Sequence, residues 1–123
     1  MRKRNLPKPT EAELAILNVL WQQGSATVRQ VHEALKDERQ TVYTTILKLM
    51  QIMHEKGLVI RDERTRTHVY QARLSAQQTQ RQLVGDLLER AFGGSALRMV
   101  MQTLSAKKAS PEELALKQAN IGC

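Results

Sequence analysis

The chain has 123 residues, with 19 Lys and Arg against 12 Asp and Glu, a net charge of +7 and a pI near 10. That length allows one ordinary domain or a small domain with an appendage, and the charge points to phosphate, an anionic membrane or an acidic protein as partner. Aromatic residues make up only 3%, which argues against single-strand binding on stacked rings, and the lone Cys123 excludes an intramolecular disulfide. No apolar run is long enough to span a bilayer, and residues 1–10 lack the apolar centre of a signal peptide. The expectation is therefore a cytoplasmic protein of bacterial type with no direct membrane insertion. Residues 1–74 hold 13 basic and 8 acidic residues, a net +5, whereas residues 75–123 hold 6 and 4, a net +2. The excess lies mainly in the first part.

Residues 1–9, MRKRNLPKP, form a basic, proline-containing arm expected to be loosely ordered. A solvated tail is favoured there over a contact with phosphate. Thr10-Glu11-Ala12-Glu13 then reads as a capping box, in which the threonine oxygen takes a free amide and Glu13 reaches back. Leu14, Leu17, Leu20 and Trp21 follow at helical spacing as the expected buried stripe, flanked by Ala15 and Ile16. The Trp21 N–H needs one partner. Gln22-Gln23-Gly24 ends this helix. Thr27 opens a second one with another capping box, closed by Gln30, and Val28, Val31 and Leu35 face inward. Asp37 to Gln40 is a polar break.

Residues 41–57, TVYTTILKLMQIMHEKG, read as one amphipathic helix on which the rest is organised. Val42, Ile46, Leu49, Met50 and Met53 make its apolar stripe, Thr45 and Leu47 sit near the boundary, and Tyr43, Thr44, Lys48 and Gln51 lie mostly on the other side. Gly57 suits a left-handed position just past the helix end. Two β-prone segments follow, Leu58–Arg61 and His68–Ala72, around a basic polar tip. Helix, short turn, helix, break, helix and hairpin is the order of a winged helix-turn-helix. The fold class expected is mainly α, with a winged helix-turn-helix DNA-binding domain over 1–74 and a small β-hairpin wing.

A different pattern begins at Ser75. Ser75 to Gln78 is a third capping box, and Leu83, Val84, Leu87, Leu88, Ala91 and Phe92 recur at three and four spacing. Gly93-Gly94 breaks the run. Ser95 caps a further helix carrying Leu97, Val100, Met101 and Leu104, and Ser110-Pro111-Glu112-Glu113 starts a last one that includes Leu114. Three short amphipathic helices cannot bury their stripes alone. A two-fold partner solves this, so residues 75–123 are expected to be a helical dimerisation module that uses Leu83, Val84, Leu87, Leu88, Phe92, Leu97, Val100, Met101, Leu104 and Leu114.

On the third helix, the hydroxyls of Tyr43, Thr44 and Thr45 can meet phosphate or a base edge, and Lys48 favours guanine or phosphate. The ordinary alternative is a solvated helix surface. Arg64 and Arg66 at the hairpin tip suit the DNA backbone or minor groove, with His68 a weaker candidate. Thr27, Arg29, Arg39 and Gln40, at the two ends of the second helix, complete the expected DNA-binding set. His32, His54 and His68 lack metal-ligand spacing. No nucleophile–base pair or glycine phosphate loop occurs, so no enzyme, metal site or cofactor is expected.

With these residues laid out, the chain resembles the penicillinase/methicillin-resistance repressor family. The resemblance runs over almost the whole length. It includes LPKPTEAELAILNVLW in the first helix, TVYTTILKLMQIMHEKGLV in the third, THVYQA in the wing, and AFGGS followed by SPEEL in the tail. It implies a cytoplasmic, homodimeric winged-helix repressor that binds inverted repeats in double-stranded operator DNA. It also implies induction through a membrane sensor-protease system that leads to cleavage in the dimerisation module, with the matching region near Met101-Gln102. Lys48 and Ile52 stand where many members carry threonine and arginine, so a different base preference is expected. One branch of the family responds to copper through clustered C-terminal cysteines, a motif that Cys123 alone does not supply. The contrasting reading is a winged-helix interaction module whose third helix binds an acidic protein.

Overall fold

The computed structural model describes residues 7–106. Within them the order is α1 (Glu11–Gln23), α2 (Val28–Arg39), α3 (Tyr43–Lys56), β1 (Val59–Asp62), β2 (Val69–Ala72), α4 (Ala76–Phe92) and α5 (Ala96–Ala106). The arm's first six residues and everything past Ala106, including Leu114 and the Ser110 helix start, lie outside the described residues. The chain divides into two compact units, Met1–Gln82 and Leu83–Cys123, so the division falls inside α4.

Local chemistry starts every described helix but α3 as its sequence dictates. Thr10 and Glu13 exchange side-chain bonds to each other's amides at 3.2 and 2.9 Å. Thr27 with Gln30 and Ser75 with Gln78 repeat the arrangement. Ser95 Oγ accepts from the Arg98 amide at 3.2 Å. At the end of α3, Gly57 takes φ 86° and ψ 12°. Its amide bonds the His54 carbonyl at 3.2 Å, and the next amide, of Leu58, bonds the Met53 carbonyl at 2.9 Å. This double bond pattern stops the helix and leaves Leu58 and Met53 buried together beneath it.

The core of the first unit joins Ile16, Leu17, Val19 and Leu20 of α1 with Val31 and Leu35 of α2, Ile46, Met50 and Met53 of α3, and Val59 and Tyr70 of the hairpin. Two expectations are corrected here. The inward face of α1 is centred on Ile16, which is fully buried, while Leu14 is only half-buried. The reason is that α1 packs against α2, α3 and β2 at once, which widens its buried face beyond a single stripe. Val42, expected in the α3 stripe, is 61% exposed. It is the N-cap residue, with extended backbone, so its side chain precedes the helical periodicity.

The strands pair antiparallel, with Val59 opposite Ala72 and Asp62 opposite Val69. Ala26, just before α2, adds a single bridge to Tyr70 through bonds of 2.9 and 2.8 Å. That bridge docks the hairpin onto the start of α2. Trp21 finds its partner in the Leu74 carbonyl, 3.0 Å from Nε1.

Glu13 does more than cap. It is buried at 2% exposure, and its second carboxylate oxygen accepts from Lys56 Nζ at 2.7 Å. Burial pushes its pKa up, but the Lys56 ammonium and the Thr10 amide outweigh this and hold it below its ordinary 4.5. The pair fastens the start of α1 to the end of α3.

In the second unit, by contrast, no described apolar side chain is fully buried. Val84, Leu87, Leu97, Val100, Met101 and Leu104 are between 43% and 71% exposed, and Leu83, Leu88 and Phe92 are half-buried.

Candidate nucleic-acid interface

The second and third helices form a helix–turn–helix pair whose turn is three residues long, Gln40 to Val42. Gln40 makes the turn possible by adopting a left-handed conformation, φ 51° and ψ 38°, and its amide bonds the Lys36 carbonyl at 3.0 Å. Gln40 is the one non-glycine residue with a positive φ among the described residues. The turn releases α3 with its outer face open: Tyr43, Thr44, Thr45, Lys48 and Gln51 are all exposed.

Between the start of α2, the outer ridge of α3 and the wing lies a cleft of about 350 Å³. Thr27 comes from the N-cap of α2 and Arg29 from its first turn, Tyr43, Leu47 and Gln51 from α3, and Arg61, Arg66 and His68 from the hairpin. Tyr43, Leu47 and Gln51 are successive members of one i, i+4 ridge. Tyr43 is held from the α2 side. Arg29 Cζ lies 5.9 Å from its ring centroid, and the His32 ring meets it edge-on, 5.9 Å away at 86°. These contacts set the start of α3 against α2.

Of the residues singled out from sequence, the cleft therefore brings together Thr27, Arg29, Tyr43, Arg66 and His68. Thr44 and Lys48 occupy the neighbouring ridge of α3, with Thr45 beside them. Arg39 and Gln40 lie at the far end of α2, about 18 Å from Thr27 at the helical rise. Such a separation lets the two ends meet different phosphates, not the same one. Gln51 and Arg61 were not among the expected site residues. Gln51 is signalled by its place one turn beyond Leu47. A glutamine there is chemically suited to the N6/N7 edge of adenine. Arg61 is revealed only by the strand register, which sets it opposite Tyr70.

The wing's charges are not equivalent. Hydrogen bonding to Tyr70 and then to Glu63 holds the Arg61 guanidinium above its ordinary value, and Arg61 Nε lies 2.6 Å from Glu63. Arg64 forks onto Asp62, whose carboxyl is thereby lowered to about 2. Arg66 has no ion pair among the described residues. No cluster of His, Cys, Asp or Glu suited to a metal occurs among them either, and no described helix is long and apolar enough to cross a membrane.

An open third helix, set by a short turn on the second and flanked by an arginine-bearing hairpin, defines a winged helix-turn-helix protein. The sequence pattern described as penicillinase repressor matches residues 9–121, and the chain belongs to that family. A stretch of 61 residues is 39% identical to the transcriptional regulator BlaI of Mycobacterium tuberculosis, from strain CDC 1551/Oshkosh and equally from strain H37Rv. It covers 49% of this chain and 44% of those proteins, so the match spans about half the length of these curated relatives. The solution structure of the DNA-binding domain of the repressor BlaI is similar in fold, with a TM-score of 0.53 and 22% identity over 60% of this chain and 90% of that one.

Proposed function

We propose that the chain is a homodimeric, cytoplasmic transcriptional repressor that binds palindromic operator DNA. The observation that carries this reading is the shared face of α3 and the wing: Tyr43, Gln51 and Arg66 line one cleft, with Thr44 and Lys48 open on the ridge beside it. A helix lying in the major groove reads base edges, while flanking cations fix it on phosphates. Thr44, Thr45, Lys48 and Gln51 are assigned to bases or adjacent phosphates. Thr27, Arg29, Arg39, Gln40, Arg66 and His68 are assigned to the backbone.

The dimerisation module is assigned to residues 75–123. Its support is the row of exposed apolar side chains on α4 and α5, which a monomer would leave in water. A second copy covers the same patch by two-fold symmetry. Two tethered heads bind a palindrome far more tightly than one, because the second contact is made at high effective concentration. Separating the heads then suffices to release the operator. Induction is accordingly assigned to proteolysis within Ser95–Ser105 in a membrane sensor-protease pathway, since a cut there removes the last part of the apolar surface.

Two measurements test this reading. Binding to duplex DNA should weaken steeply as salt is raised; a salt-insensitive chain that instead captures an acidic protein would replace it with the interaction-module reading. Co-expression with the membrane sensor-protease, followed by mass spectrometry of the fragments, should find a cut in Ser95–Ser105. Release of the operator by a full-length chain would sink the proteolytic route.

A further inference from the structure

The hairpin carries its own anions. Between Arg61 and His68 stand three arginines and two carboxylates, so the formal charge is +1 and not +3. Both carboxylates are paired within the hairpin. Asp62 Oδ1 accepts from the Arg64 amide at 3.0 Å and from its Nε at 3.1 Å, and Oδ2 accepts from Nη2 at 2.8 Å. Glu63 Oε2 accepts from Arg61 Nε at 2.6 Å. Arg66 lacks such a partner among the described residues and faces the cleft.

The Asp62–Arg64 pair contributes little to the fold. The Arg64 side chain is 88% exposed and that of Asp62 43%, and ion pairs so open to water add little to stability. The pair does change what a phosphate meets. The Arg64 amide holds the Asp62 carboxylate at the turn, within reach of the Arg64 guanidinium. One edge of the guanidinium fork is occupied and its charge is offset.

We propose that Asp62 and Arg64 act toward DNA as one neutral unit, leaving Arg66 as the wing's working phosphate contact, so that Asp62 limits sequence-independent binding. Phosphate attraction supplies essentially all of the affinity for random duplex. A further unpaired cation on the wing would raise that background on every sequence. The proposal rests on the DNA-binding reading above.

The test uses the full chain, a random-sequence duplex and fluorescence anisotropy across a salt series, with Arg66→Ala, Asp62→Asn, Arg64→Ala and the double variant of Asp62 and Arg64. Asp62→Asn should bind more tightly than wild type, by up to about eightfold per head at 0.1 M salt for one added phosphate contact. Arg64→Ala should bind more weakly by a similar factor, because it leaves Asp62 bare. The double variant should return to wild type within about twofold, since the neutral unit is removed whole. If Arg64 were a simple clamp, Asp62→Asn would match wild type and the double variant would match Arg64→Ala; that result overturns the proposal. Equal binding by all of these also overturns it, by placing the pair out of reach of DNA. Arg66→Ala keeps the two levels apart. If it leaves binding unchanged, Arg66 is not the wing's phosphate contact and the proposal is overturned; if wild type shows no salt-dependent binding, the DNA-binding reading itself fails.

Discussion

Lys48 offers the sharpest test of how α3 would read DNA. It sits at mid-helix, exposed and without an ion pair among the described residues, one turn after Thr44 and nearly one turn before Gln51. Lys48→Ala should leave the fold intact: alanine is the best helix former, and substitutions at such surface positions stay within about 0.5 kcal/mol. A lost base contact costs about 1–3 kcal/mol. A dimer on a palindrome loses it twice, about 2–6 kcal/mol, which corresponds to roughly 30-fold to more than 10,000-fold in Kd. Anisotropy titration on a duplex selected from a random library measures this, and random duplex under the same salt is the control. A loss confined to the selected duplex assigns Lys48 to a base edge. An equal loss on both, with a salt slope lower by about one per head, assigns it to phosphate. Unchanged affinity for the selected duplex, while Arg66→Ala abolishes binding, would refute α3 as the reader.

Three further outcomes are expected. Arg66→Ala should weaken selected and random duplex about equally and lower the salt slope by about one per head, as a salt series on both duplexes would report. Leu87→Glu should place charge in the exposed apolar row of α4, so that sedimentation at micromolar concentration shows monomer while circular dichroism shows the first unit still folded; a wild-type chain that sediments as a monomer would remove the argument. Glu13→Gln should lower the melting temperature at neutral pH. Because the folded-state pKa of Glu13 lies below its ordinary 4.5, its ionised form stabilises the fold fully above that value, and the contribution is lost as pH falls through the folded pKa. The gap in melting temperature between wild type and variant should therefore narrow below about pH 4.5, and a constant gap would show that the Lys56 pair is not its source.

Helix starts and stops were legible because their causes lie within a few residues. Thr10 with Glu13, Thr27 with Gln30 and Ser75 with Gln78 are each three apart, and Gly57 needs only its own freedom from a side chain to take a positive φ. The hairpin was legible for a similar reason, since β-prone runs around a polar tip pair with their nearest neighbour. Periodicity read the outer face of α3, including Thr44 and Lys48, but misplaced Val42, because the first helical residue is set by the turn at Gln40 and not by the apolar spacing. Only the tertiary structure decided that Ile16 and not Leu14 leads the core, since burial on α1 depends on elements packed against it from three directions. The same holds for the Glu13–Lys56 pair, 43 residues apart, the Trp21–Leu74 bond, 53 apart, and the Ala26–Tyr70 bridge that brings the wing to α2. Neighbouring residues state their own backbone preferences, whereas contacts between distant segments exist only once the chain has placed both. For that reason the sequence marked Arg64 and Arg66 alike as wing cations, and the folded hairpin alone separated them by setting Asp62 against one and the cleft beside the other.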